Sequence, residues 1–287
     1  MKELAIGTMV RFGIPPEESF RRLKSLGLDS CQLATVPDDY LYGQEGRDNT
    51  RRLRDKIEEY GIEVTSLFLS FPDQDWKDWR NSIGLVPPRT RAARLVRACR
   101  SADWARELGI VQIASHVGCI PEDSASEAFR SFVDDLRPFV RLLGANGQIL
   151  AYETGQESVA VLKRTMEAVG EENQGVNFDP ANLLIYNHDD PAVLLRELGD
   201  RVVHLHCKDA VRPAPGEELG RETRFGEGAT NFRELLRALY KLGYRGPLTI
   251  EREIAPGAEL DRDLVQAVEL LKTLKEGLNS WVMSQIL

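Results

Sequence analysis

The sequence predicts a single (β/α)8 barrel over residues 1–287, and three patterns predict it. Eight short β-branched or aliphatic runs alternate with eight helical stretches. Seven times a helical stretch ends in an apolar or aromatic residue followed by Gly. Four consecutive strand-like runs in the second half end in Glu, Asp, His and Glu. Parallel strands joined by right-handed helical crossovers are the natural assembly for such alternation. Eight units of roughly 36 residues match a barrel of ~250 residues with loop extensions.

The strand runs are LAIGTM, SCQLAT, IEVTSLFL, VQIASH, QILAYE, GVNFD, RVVHLHC and PLTIE. Between them, apolar residues recur at helical spacing. The faces are Phe20, Leu23 and Leu26; Leu53, Ile57 and Tyr60; Ala92, Leu95, Val96 and Cys99; and Phe129, Phe132, Val133, Leu136, Val140 and Leu143. Further along come Leu162, Thr165, Met166 and Val169, then Phe232, Leu235, Leu236 and Leu239, then Leu264, Val268, Leu271 and Leu274. Gly27, Gly61, Gly109, Gly144, Gly170, Gly199 and Gly243 are expected to close helices in the left-handed conformation. Residues 71–90 after the third strand and 210–230 after the seventh form enlarged loops. Both belong to the C-terminal mouth, where barrel enzymes keep their chemistry. No linker or low-complexity tract divides the chain.

Composition narrows the function. With 37 basic and 45 acidic residues the net charge is −8, which disfavours nucleic acid and anionic membranes, both of which need clustered Lys and Arg. No run approaches a spanning length, and the start has no apolar signal region. Cys31, Cys99, Cys119 and Cys207 show no CxxC spacing, and four isolated thiols suit the cytoplasm.

The candidate site is read from strand parity. Glu153 shares a face with Ala151, Asp179 with Asn177, His206 with His204 and Lys208, and Glu251 with Thr249. All four can therefore point to the barrel axis at its top. Taken singly, each carboxylate has a plainer explanation as a helix cap or rim ion pair. Four on neighbouring strands together suggest an O,O,N,O cup for a hard or borderline divalent cation such as Mn²⁺ or Mg²⁺. His116 faces the same cup and reads as a substrate contact or a packed rim histidine. Lys208 either offsets the excess carboxylate charge, contacts substrate, or pairs with Asp209 or another neighbour. His204, lying deeper, reads as a hydrogen-bonded core histidine. Glu157 and Glu227 are mouth candidates or helix-start carboxylates. Trp76 and Trp79 fit an aromatic wall for a sugar or ordinary loop packing. Arg224, with Arg212 and Arg221, fits a phosphate contact or a solvated charge run. Cys207 faces the helices.

The segments LAYETG, VNFDPANL, VHLHCKDA and RFGEGATNFRELLRALYKLGYRGPLTIERE resemble the xylose isomerase-like TIM-barrel superfamily, specifically its sugar phosphate isomerase/epimerase group. The likeness covers nearly the whole chain. It implies one divalent ion, commonly Mn²⁺ with Mg²⁺, Co²⁺ or Zn²⁺ as alternatives, held by Glu153, Asp179, His206 and Glu251. It also implies that Glu153 and Glu251 are the acid/base pair, moving a proton next to a metal-bound carbonyl through an enediolate. The expected ligand is a small carbohydrate, and a homo-oligomer is allowed. Ketohexose 3-epimerases of the group carry a substrate-contacting His three residues after the metal Asp. This chain has Asn182 there, which counts against that particular reaction. The alternatives are a dehydratase of a keto-cyclitol or keto-sugar and a non-catalytic barrel with a structural metal. The related apurinic endonuclease, with its His-rich multi-zinc cluster, is disfavoured by four histidines and the acidic balance.

Overall fold

In the computed structural model, which describes residues 3–286, eight parallel strands close into a barrel. Residues 1, 2 and 287 of the expected span lie outside the described residues. The wall runs β1 (Ile6–Arg11), β2 (Ser30–Ala34), β3 (Glu63–Leu69), β4 (Gln112–Ser115), β5 (Ile149–Glu153), β6 (Gln174–Phe178) and β7 (Val202–Cys207). A hairpin of β8 (Asp209–Val211) and β9 (Arg221–Thr223) intervenes before β10 (Leu248–Ile250), which pairs with both β7 and β1. Across that seam, Thr8 Oγ1 donates to the carbonyl of Ile250 at 3.0 Å.

The helices are α1 (Pro16–Ser25), α2 (Asp38–Leu41), α3 (Gly43–Tyr60), α4 (Trp79–Ser82), α5 (Pro88–Glu107), α6 (Glu127–Ala145), α7 (Val159–Val169), α8 (Pro180–Ile185), α9 (Pro191–Leu198), α10 (Phe232–Lys241) and α11 (Ala258–Ile286). Among the described residues, none is long and apolar enough to cross a membrane. Most of the apolar core lies between the helices and the outer face of the barrel. Fully buried Phe20, Leu67, Phe132, Tyr152, Phe178 and Cys207 belong to it.

Inside the barrel the packing is sparser and more polar. Ala34, Phe68, Ala114 and Ala151 lie in register on β2 to β5 and form a small apolar layer. Gln32, Ser66, Gln112, Asn177, His204, His206 and Thr249 are all buried and hydrogen-bonded to one another in the barrel interior. Three of the four residues in the apolar layer are alanines.

Several expectations are corrected. The 210–230 loop contains the antiparallel hairpin β8–β9, organised by Asp209, whose carboxylate accepts from the backbone N–H of Ala210, Gly226, Gly228 and Thr230. Short helices α2, α4 and α8 add to the expected eight. Gly144 lies inside α6 and Gly147 instead takes the positive φ of +72°. Gly199 continues right-handed (φ −62°) into a 3-10 turn, Gly199–Arg201. The other five closing glycines have positive φ.

The largest correction is on α5. Ala92 and Val96 are exposed, and the buried stripe instead contains Arg91, Arg94, Ala98, Ser101, Ala102 and Ala105. The two arginines are buried because the mouth loop wraps over them. Arg91 donates to the carbonyls of Leu85 and Val86 and pairs with Asp135. Arg94 donates to the carbonyls of Ser82 and Gly84 and pairs with Asp73. An apolar periodicity search cannot find a face whose partners are backbone oxygens.

Gly84 completes this anchorage. It has φ +72°, and a Cβ there would stand 2.2 Å from the backbone carbon of Val117, where Leu85 and Val86 both donate to the Val117 carbonyl. Gly84→Ala should therefore destabilise the protein by about 2 kcal/mol. A urea midpoint equal to that of the parent protein would show that the loop gives way without cost.

Candidate active site

Four strands deliver their candidate residues at the same height. Glu153 is the last residue of β5, Asp179 follows β6, His206 lies near the end of β7 and Glu251 follows β10. All four are buried, and one ligand atom from each lies within 4.8 Å of all the others.

His206 sits at the centre. Its Nδ1 is 2.9 Å from Glu153 Oε1, 3.1 Å from Glu251 Oε2 and 3.7 Å from Asp179 Oδ2, yet none of these contacts has hydrogen-bond alignment. Its other nitrogen is engaged, with Nε2 2.8 Å from Gln32 Oε1. An amide oxygen only accepts, so Nε2 carries a proton and Nδ1 is the nitrogen that faces the carboxylates, able to offer a lone pair to a cation once its own proton leaves. Gln32 is held in turn by donating to Ser66 Oγ at 2.7 Å.

Asp179 divides its work. Oδ1 caps α8, accepting from the N–H groups of Ala181 (2.8 Å) and Asn182 (3.0 Å), while Oδ2 is buried without a hydrogen-bond partner. The helix-cap explanation therefore accounts for one oxygen of this residue and leaves the other free for a ligand role. Glu153 Oε2 also lacks an aligned partner, although His116 Nε2 stands 2.9 Å away.

These orphaned donors are the test of fit for a cation. Buried polar atoms are normally paired, and like charges about 4 Å apart repel by about 4 kcal/mol at a protein's effective dielectric. Here two carboxylate oxygens and an imidazole nitrogen remain buried, unbonded and convergent. The donors are oxygen-rich with one nitrogen, and buried Cys207 points away into the outer core. The residues present fit a divalent cation.

The surrounding charges respond to the crowding. Burial opposes protonation of His206, but Glu251 and Glu153 outweigh it and hold the imidazole well above its usual range. Burial would raise Glu251, yet Lys208 and His206 keep it well below the ordinary carboxylate value. Asp179 is raised by burial despite Lys208. Lys208 lies 3.3 Å from Glu251, 3.6 Å from Asp179 and 2.5 Å from Glu253, and its Nζ donates to Asn182 Oδ1 at 3.3 Å. Its partners are these carboxylates, since Asp209 is occupied with the hairpin. Three carboxylates, Lys208 and a 2+ ion sum to no net charge.

Other anticipated residues fall around the cup. His116 follows β4 and its charged form is favoured by Glu153 against the opposition of burial. Trp76, 49% exposed, meets the His116 ring edge-on with centroids 5.7 Å apart. Trp79 is buried and packs on Tyr186 at 5.0 Å. Glu157 is buried with Oε1 unpartnered, and its carboxyl is pushed up to about 8 by burial, with His116 opposing and Glu153 reinforcing. His204 is a core histidine, bonded to Gln112 and Thr249. Arg224 pairs with Asp263 at 2.7 Å and Glu227 at 3.6 Å, both outside the cup.

Gln32, Asn177, Gln156 and Tyr186 were not anticipated. A signal existed for the first two, since Gln32 alternates with Cys31 and Leu33 in a buried strand and Asn177 shares the face of Asp179. Gln156, buried with both amide atoms unpartnered, lies in a loop where parity says nothing.

The family model described as "Xylose isomerase-like TIM barrel" matches residues 20–274, and the chain belongs to that family. L-ribulose-5-phosphate 3-epimerase UlaE of Escherichia coli (strain SE11) is 27% identical over 266 residues, which span 87% of this chain and 88% of that one. A xylose isomerase domain protein from Planctomyces limnophilus has TM-score 0.87 at 30% identity, over 97% of this chain and 99% of that one. A xylose isomerase-like TIM barrel protein from Mycobacterium smegmatis in complex with magnesium shares the fold at TM-score 0.67 and 17% identity, over 93% of this chain and 97% of that one.

Removing the Gln32 amide frees the His206 ring to turn. Gln32→Ala should weaken Mn²⁺ binding, measured by calorimetry, by about 10–100-fold, and unchanged affinity shows that Nε2 needs no anchor. Glu157 gives a pH signature in the metal-free protein. Its folded value, about 8, lies above the ordinary carboxylate value of 4.5, so between these the folded state holds a proton that the unfolded chain has released, and stability falls as pH rises. Glu157→Gln should flatten that decline in denaturation curves across the window. An undiminished slope assigns the effect to other groups.

Proposed function

We propose that this chain is a divalent-cation-dependent isomerase or epimerase of a sugar or sugar phosphate, moving a proton at the carbon next to a carbonyl. The observation that carries the reading is the convergence of two glutamates, Glu153 from β5 and Glu251 beyond β10, on one buried point from either side of His206. The epimerase relative supports the same class.

When bound, a divalent cation, Mn²⁺ first and Mg²⁺ next, supplies Lewis acidity worth several kcal/mol against the negative charge that develops on the substrate oxygen. Glu153, Asp179, His206 and Glu251 would hold it. The protein's own groups do the rest. Both glutamates are kept ionised, Glu153 by His116 and His206 against burial and Glu251 by Lys208 and His206, so either begins as a base. One removes the α-proton and the enediolate forms in the substrate. Return of a proton from the opposite face gives the epimer, and return to the neighbouring carbon gives the isomer. On the Glu153 side, His116 and the protonated Glu157 are the proton-holding groups that can resupply it. Trp76 shields that side of the mouth, which keeps water from quenching the carbanion.

A dehydratase is the second reading, and protonated Glu157 is what favours it. A carboxylic acid beside the enediolate can protonate a departing β-hydroxyl.

General acid–base groups contribute about 10²–10⁴-fold in rate. Glu153→Gln and Glu251→Gln in the Mn²⁺-loaded protein should each lower solvent deuterium uptake by a ketose panel by that factor, read by NMR. Full exchange in both variants removes the two-carboxylate scheme. A product lighter by one water identifies the dehydratase.

A further inference from the structure

Beside the cup, between β1, β10, α1 and α11, lies a cavity of about 390 Å³ whose lining includes Arg11, Arg22 and Arg252 and no carboxylate. In an acidic chain this is an unusual concentration of positive charge. Two of the three arginines are neutralised from behind, Arg22 by Asp261 and Arg252 by Glu222 and Asp263. Arg11 has no ion-pair partner among the described residues and is exposed. It ends β1 and shares its strand face with Met9, which packs against the alanine layer inside the barrel. Since β1 closes the wall against β10, Arg11 stands at the mouth on the Glu251 side, and its charge acts on Glu251. The remaining wall is apolar, with Phe12, Ile250 and Leu260. A charge-assisted bond from a guanidinium to an oxyanion is roughly twice as strong as a neutral one.

Resting on the function proposed above, we infer that Arg11 receives a terminal oxyanion of the substrate and so selects an anionic sugar over a neutral one. Lys208 does not serve this purpose, because it is consumed by Glu251, Glu253 and Asp179. Arg212 and Arg224 are likewise tied, to Asp190 and Asp263. The oxyanion is a phosphate ester or a carboxylate, and the two are separated by the test.

Calorimetric binding and deuterium uptake are compared for ribulose 5-phosphate, ribulose and a ketohexuronate, using the Mn²⁺-loaded parent protein, Arg11→Gln and Arg11→Lys. One lost charge-assisted bond corresponds to about 10–100-fold. The parent protein should bind ribulose 5-phosphate or the uronate more tightly than ribulose by that factor, and Arg11→Gln should erase the preference while Arg11→Lys keeps part of it. Whichever anion shows the larger preference identifies the group. An equal preference in Arg11→Gln and the parent, or none in the parent, overturns the inference. If Arg11→Gln loses the anion's binding but no deuterium enters any compound, the oxyanion site stands and the epimerase reading falls.

Discussion

Burying three carboxylates around one imidazole is unfavourable unless positive charge joins them, and the architecture of the mouth follows from that constraint. Lys208 supplies one charge from the same strand as His206. A divalent cation would supply the two that remain, and the unbonded oxygens of Glu153 and Asp179 lie where it would be received. The ring of His206 is fixed by Gln32, itself fixed by Ser66. The polar interior of the barrel therefore holds the His206 ring in place, beside the small alanine layer.

The mouth loops obey a parallel logic in which backbone carbonyls replace carboxylates. Arg91 and Arg94 leave the helix surface to hold residues 82–86, and that anchorage sets Trp79 on Tyr186 and Trp76 against His116. Opposite, Asp209 gathers four N–H groups of the β8–β9 region. An ion pair between Arg80 and Glu218 links the two sides. Both partners are exposed, so it contributes little energy, yet it records how closely the third and seventh loops approach over the cup.

How far the sequence could be read depended on whether the relevant physics was periodic. The eight strands and the four cup residues were legible because a period of two places Glu153, Asp179, His206 and Glu251 on known faces. Bulges in the β2–β3 and β6–β7 pairings shift the partners without changing those faces. Helix faces built on apolar residues were legible for the same reason. α5 was not, since its inward residues are arginines whose partners are carbonyls of a loop. Arg11 escaped notice because a cation at a strand end looks like any solvated charge until the cavity beside it is seen to contain no acid. Arg224 illustrates the converse, an arginine in a suggestive loop that is bound to Asp263 on the outer helix.

The seam between β1 and β10 has a consequence for synthesis. The bond from Thr8 to Ile250 spans 242 positions, and contacts of such long separation form late. On the ribosome, seven strands can emerge and associate while β1 and β7 still present open edges, and such edges are prone to aggregate. Glu251 arrives with the strand that seals them. Completion of the candidate cup and protection of the nascent barrel are thus one event, and a chain cut short before β10 lacks both.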